Sequence, residues 1–164
     1  MNIFTKSVAA LISIVAFQSA AMAQTLSPAN TAVTASGQLT QDLNGTLTTV
    51  CNVTLSGTTD STGITFTSYT GSAASGPLAC DDGLVLPLRV QATSSTSVTI
   101  KDMAVSTRLG DCGPRDVVGP WSNLTSTAGP LSAALPGTTG FLALIGGVCN
   151  ASGSLTVSPA VTIN

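Results

Sequence analysis

Along most of the chain beyond residue 30, apolar and hydroxylated residues take turns. Leu47, Thr49, Cys51, Val53 and Leu55 share one parity, and Thr48, Val50, Asn52 and Thr54 occupy the other. That period of two is what half-buried β-strands impose on a sequence. The pattern recurs at Ile64 to Tyr69, Leu84 to Ala92, Ser97 to Ser106 and Leu155 to Ile163. Turn signals stand between these runs: Asn44-Gly45, Gly57 to Gly63, Gly71 to Pro77, Asp82-Gly83, Gly110 to Pro114, Gly129-Pro130, Pro136-Gly137 and Gly146-Gly147. No stretch has a helical period. Strands at this spacing, without helices to carry parallel crossovers, point to an antiparallel sandwich or barrel. The prediction adopted is an all-β fold, an antiparallel β-sandwich of Ig-like or pilin-like type with about eight to ten strands.

Both ends of the patterned region read as strands. Thr31, Val33, Ala35, Gly37 and Leu39 alternate with Ala32, Thr34, Ser36 and Gln38, while Leu155, Val157, Pro159, Val161 and Ile163 alternate with Thr156, Ser158, Ala160 and Thr162. Pro159 cannot donate to a ladder, so the last strand is expected at an edge or bulge there. Either terminal strand pairs inside its own subunit or is donated to the next molecule by β-augmentation. The candidate assembly positions are Val33, Ala35, Leu39, Leu155, Val157, Val161 and Ile163.

The first 23 residues carry a different pattern. One early cation, Lys6, precedes an apolar run from Val8 to Phe17 and the small-residue triplet Ala21-Met22-Ala23. This is the layout of a secretory signal peptide cleaved before Gln24, and the run is too short for a membrane span of about 20 residues. The predicted organisation is a signal peptide over 1–23 and a single exported domain over 24–164, with no transmembrane segment after cleavage. The protein is expected outside the cell or at its surface, reached through the periplasm.

Cys51, Cys80, Cys112 and Cys149 all follow the cleavage site, and an even count in an exported chain predicts two disulfides. Of three connectivities, Cys51 with Cys80 and Cys112 with Cys149 is favoured because each closes a moderate loop; the sequence leaves the other two open. No C-x-x-C pair occurs, which removes redox-motif and zinc-ribbon readings.

Composition narrows the function classes. The chain has no His, seven Asp and no Glu, and charged residues are only 7% of it. Ser-His-Asp and Cys-His catalysis and His-ligated metals are excluded by residue type. A glycosidase pair of Asp residues would face a cleft lined with aromatics, of which the mature chain has only Phe66, Tyr69, Trp121 and Phe141. Four cations, Arg89, Lys101, Arg108 and Arg115, cannot neutralise a nucleic-acid backbone. No enzymatic activity, cofactor, metal or nucleic-acid partner is predicted. Thr and Ser total 45 of 164 residues, and they solvate strands without supplying the charges that discourage edge pairing, so self-association is expected.

Two charge clusters remain, Asp81-Asp82-Gly83 and Gly110-Asp111-Cys112-Gly113-Pro114-Arg115-Asp116. They read as turns with Asp side-chain caps rather than as calcium sites, since no spaced Asp-x-Asp-x-Asp loop supports them. Lys101 is expected at an exposed strand position beside an acid, and Trp121 in the core.

Several segments together resemble a known family. Leu26-Ser27-Pro28-Ala29-Asn30-Thr31 with Thr34-Ala35-Ser36-Gly37, Cys112-Gly113-Pro114 with Gly119-Pro120-Trp121-Ser122, and the close Cys149-Asn150-Ala151-Ser152-Gly153-Ser154-Leu155 with Ser158-Pro159-Ala160-Val161-Thr162-Ile163 are similar to the secreted Pra-type proteins of proteobacteria, the PraA/PraB-like activators of alkane oxidation. The resemblance implies an exported, non-enzymatic protein linked to growth on insoluble hydrocarbon and to biofilm or surface adhesion. Two functions are therefore expected. The first is a self-assembling or adhesive structural protein of surface fibres or biofilm matrix. The alternative is a surface-active or apolar-ligand-binding protein that aids contact with, or uptake of, hydrocarbons.

Overall fold

Each alternating run becomes a strand whose apolar parity turns inward, and eight of them close on themselves. The computed structural model describes residues 24–81 and 83–164; the expected signal peptide lies outside the described residues. The strands are β1 (Leu26–Ser27), β2 (Ala32–Leu43), β3 (Leu47–Thr59), β4 (Gly63–Ser75), β5 (Leu88–Ser94), β6 (Ser97–Thr107), β7 (Gly110–Ser122), β8 (Thr127–Pro136), β9 (Val148–Ser158) and β10 (Thr162–Ile163), with one short helix, α1 (Gly140–Leu144), before β9. β2 to β9 form an up-and-down antiparallel barrel in chain order. Phe66, Leu55, Ile64, Leu88, Val98 and Leu135 are among the side chains that fill its interior. On β3 the outward positions are Asn52, Thr54, Ser56 and Thr58. Apolar inside and hydroxylated outside is the inverse of the membrane-barrel pattern.

The barrel corrects the expected sandwich. In a sandwich the first and last long strands would end at sheet edges, whereas here β2 pairs with β9 from Thr34↔Ser158 to Leu43↔Cys149 and closes the wall. Two seams are thinly laddered. β4 and β5 share only the pairs from Gly63↔Gln91 to Phe66↔Leu88, and β7 and β8 only Trp121↔Ala128 and Ser122↔Thr127. Between the seams lie two well-laddered sheets, β8-β9-β2-β3-β4 and β5-β6-β7, so the barrel keeps the two-layered character the alternation implied.

The seams differ in what fills them. Beside β4 and β5 the chain supplies its own plug, residues 76–87. The Leu78 amide donates to Thr49 Oγ1 at 2.9 Å, Tyr69 Oη donates to the Cys80 carbonyl at 2.7 Å, and the Ser106 amide donates to the Gly83 carbonyl at 2.8 Å. The Cys51–Cys80 disulfide fastens this segment to β3. At the other seam, Trp121↔Ala128 and the bridge Cys112↔Gly137 lie in one register, nine residues apart on both strands. Pro114 and Pro120 on β7, and Pro130 and Pro136 on β8, fall in the gap between them. A proline removes a ladder donor, so four of them leave the gap unzipped without shifting its register.

At one pole β1 pairs with β10, and Thr25 and Asn164 exchange backbone hydrogen bonds of 3.1 and 2.9 Å. Asn123 and Ser126, in the β7–β8 turn, hold this cap. Asn123 Oδ1 accepts from Trp121 Nε1 (2.7 Å) and from the Ile163 amide (2.8 Å), and Ser126 Oγ donates to the Val161 carbonyl (3.0 Å) while accepting from its amide (2.9 Å). Pro159 marks the point where the chain leaves β9 and crosses to β10, which places the expected irregularity. Trp121 is buried, as expected of a lone tryptophan in a β domain.

Candidate functional site

The opposite pole carries the most concentrated exposed apolar surface. In α1 and the residue after it, Phe141 is 56% exposed, Leu144 85% and Ile145 49%, while Leu142 is buried and anchors the helix to the barrel end. Five residues are too few to display a helical period, so the sequence pattern marked only the flanking turns at Pro136-Gly137 and Gly146-Gly147. Gly140 enters the helix at φ +61°, and a Cβ there would stand 2.8 Å from the Leu109 carbonyl oxygen. Only glycine meets both conditions at no steric cost.

Asp111 sets the position of the helix. Its Oδ1 accepts from Ser106 Oγ at 2.7 Å and its Oδ2 from Thr139 Oγ1 at 3.0 Å, and its carbonyl accepts the Thr138 amide at 2.8 Å. The Gly110–Asp116 cluster is thus a structural bracket for the lead-in to α1, and it lies within strand β7 where a turn was expected, because pairing with β6 overrides its Gly and Pro residues. Cys112–Cys149, with Cα atoms 6.0 Å apart, ties β7 to β9 at this same pole. Both disulfides have the favoured connectivity, and such bonds form and persist in oxidising compartments.

The electrostatics of the pole are sparse. Every residue from Val117 to Asn164 is uncharged, so α1 and the strands on either side of it carry no charged side chain. Exposed Leu47, at the start of β3, extends the same apolar end. The barrel interior offers much less space. Its cavity, lined by Ile64, Phe66, Ile100, Trp121, Leu131 and Leu155 among others, is about 20 Å³, room for about one water.

The candidate assembly positions are all inside the subunit. Val33, Ala35 and Leu39 on β2 and Leu155 and Val157 on β9 are buried in the barrel, and Val161 and Ile163 are buried at the β1–β10 cap. Both terminal strands are laddered to their own chain.

The ion pairs lie away from the apolar pole. Lys101 pairs with Asp116 across β6 and β7, at an exposed strand position as expected. At the β1–β10 end, Arg89 Nη2 donates to Asp60 Oδ1 at 2.9 Å, and that oxygen also accepts the Thr62 and Gly63 amides at 2.7 and 3.1 Å. The guanidinium and these donors hold the Asp60 carboxyl well below the usual carboxylate range. A depressed folded-state pKa contributes stability that is present above the unfolded value near 4 and is lost as pH falls through the folded one. Asp60 is 47% exposed in its side chain, so solvent screening limits the effect to about 1 kcal/mol. Asp60→Asn, which keeps the turn acceptor, is expected to cost about that much at neutral pH. The difference from the parent should shrink below about pH 4 in urea titrations; a difference independent of pH would place its origin elsewhere.

A family model described as alkane oxidation protein activator PraA/PraB-like matches residues 1–164, the whole chain. Comparisons with curated proteins and with solved structures return no match.

Proposed function

From the premise that this chain belongs to the alkane oxidation protein activator PraA/PraB-like family, we propose that it is an exported, surface-active protein that promotes contact with hydrocarbons through the apolar pole around α1. The observation that carries this reading is the exposure of Phe141, Leu144 and Ile145 on a helix and flanking strands without charged side chains, opposite the end where β1 and β10 meet. An apolar phase is the environment that would bury these side chains. Within the broader hydrocarbon reading, the filled barrel favours contact over carriage, since a 20 Å³ cavity cannot hold an alkane chain.

Burying a Phe, Leu or Ile side chain fully is worth about 1.5–3 kcal/mol, and these three begin half or more exposed. Their combined contribution to adsorption is therefore about 3 kcal/mol, roughly a hundredfold in partition. Phe141→Ser, Leu144→Ser and Ile145→Ser combined is expected to lower binding to hexadecane droplets by roughly that factor, with the circular dichroism of the parent retained. Undiminished adsorption of the triple variant would overturn the assignment of the pole.

Self-association into fibres or matrix is a second reading, supported by the same pole, which two copies can bury against each other. Size-exclusion chromatography of the exported protein, with electron microscopy of native material, separates the two. Uniform fibres that disappear in the triple variant would favour assembly, and a monomer that adsorbs to droplets would favour surface activity.

A further inference from the structure

The unzipped β7–β8 seam is a surface groove of about 350 Å³, lined by Arg115, Asp116, Val118, Ser132, Ala133 and Ala134 among others. On the register that both ends of the seam share, Arg115 stands opposite Ala134, and its Nη1 donates to the Ala134 carbonyl at 3.0 Å. A side chain thus reaches across the gap where a backbone amide would otherwise sit. The guanidinium has further donors, is exposed and forms no ion pair among the described residues. Asp116 pairs with Lys101, which leaves Arg115 as the lining cation with no ion pair among the described residues, while Asp102 beside Lys101 balances the overall charge of the cluster.

The rest of the lining mixes Val117, Val118, Ala133 and Ala134 with Asp116 and Ser132. Val118 is 67% exposed on the barrel wall, and Ala133 and Ala134 leave space on the other side. On the inward face Leu131 crosses the seam onto Gly119, where even a Cβ would lie 2.0 Å from Leu131 Cδ2, and so closes the gap toward the barrel interior. An arginine with donors to spare beside an open groove that has Val118, Ala133 and Ala134 in its lining matches a carboxylate head on an unbranched alkyl tail.

We propose that the β7–β8 groove binds linear alkyl carboxylates, with Arg115 holding the head group and the tail lying along Val118 and Ala133. At ~30 Å³ per non-hydrogen atom, taking each as about the size of a water, the groove accommodates about 12 of them, the size of decanoate. A carboxylate is also the chemical end point of oxidising an alkane terminus, so this ligand class is a product of the chemistry named by the family. The groove lies on the barrel wall and not at the α1 pole, so the two assignments stand or fall separately.

The test is calorimetric titration of the exported protein with sodium decanoate below its micelle concentration. The expected result is one site per chain, weakened at least tenfold by Arg115→Gln and also weakened by Val118→Asn, with decane and decylammonium failing to compete. Leu144→Ser should leave this binding unchanged, which separates it from droplet adsorption at the pole. Absence of binding by the folded protein, equal binding by Arg115→Gln, or equally tight binding of decyl sulfate would overturn the carboxylate assignment. Hydrogen-exchange protection of the Asp116 and Val118 amides by an extended peptide, with no response to decanoate, would overturn it in favour of a strand-accepting seam.

Discussion

With both disulfides reduced, the protein is expected to be largely unfolded at about 37 °C. Cys51–Cys80 and Cys112–Cys149 span 29 and 37 residues in separate stretches of chain. On the chain-entropy model each bond is worth about 4 kcal/mol, and loops that do not overlap contribute nearly additively. A loss of about 7–8 kcal/mol lies within the whole stability range of a domain this size. The mechanics point the same way. One bond holds the plug of residues 76–87 against β3, and the other closes the α1 end of the seam that β7 and β8 scarcely ladder. Thermal unfolding followed by circular dichroism, with and without reductant, checks this; a melting temperature lowered by only a few degrees would show that the barrel carries its own stability. Because both bonds sit toward the α1 pole, Cys112→Ser with Cys149→Ser should also loosen the bracket under α1 and reduce droplet adsorption before global unfolding sets in.

Phe66→Ala is expected to cost about 3–5 kcal/mol, the range for truncating a buried aromatic. Phe66 is 2% exposed and lines a small gap in the barrel interior. Removing its ring would join that gap to a new apolar void large enough for a small hydrocarbon. The variant should therefore regain part of its stability in benzene-saturated buffer while the parent does not respond, since a ligand stabilises only a state that can hold it. Urea titrations with and without benzene make the comparison. Equal stabilisation of parent and variant would mean that the parent interior already opens to apolar ligands, and it would return weight to a carrier role.

The strands most legible in the sequence were those whose inward positions are large, such as Leu47 to Leu55, laddered without a break to β2, and Ser97 to Ser106. β7 and β8 were hidden because Gly110, Gly113, Pro114, Gly129 and Pro130 are turn residues by local chemistry, yet both strands run through them; pairing with β6 and β9 overrides the local signal. Closure into a barrel was illegible for a different reason. Alternation fixes which face is buried and says nothing about whether the first and last sheet strands meet, a decision made by long-range pairing of β2 with β9. The disulfide pairing was open among three choices and follows from which loops lie over the α1 pole. The apolar pole itself escaped notice because Phe141, Leu144 and Ile145 sit in a run that reads equally well as buried core; only the placement of Leu142 against the barrel turns its neighbours outward. Arg115 offered no signal at all, since its role depends on standing opposite Ala134 across a gap that only the three-dimensional register reveals.

The pairing of β2 with β9 sets the order in which the molecule can come into being. Thr34 meets Ser158, 124 positions further along the chain, so every hairpin from β2–β3 to β8–β9 can form locally while the wall stays open until nearly the last residues are available. Such a high contact order makes final closure slow and leaves an intermediate with two bare edges. An exported chain threaded in an extended state would meet this requirement naturally: translocation delivers the whole strand set before closure, and oxidation of the cysteines on the far side would then tie Cys80 to β3 and β7 to β9 around the closed wall.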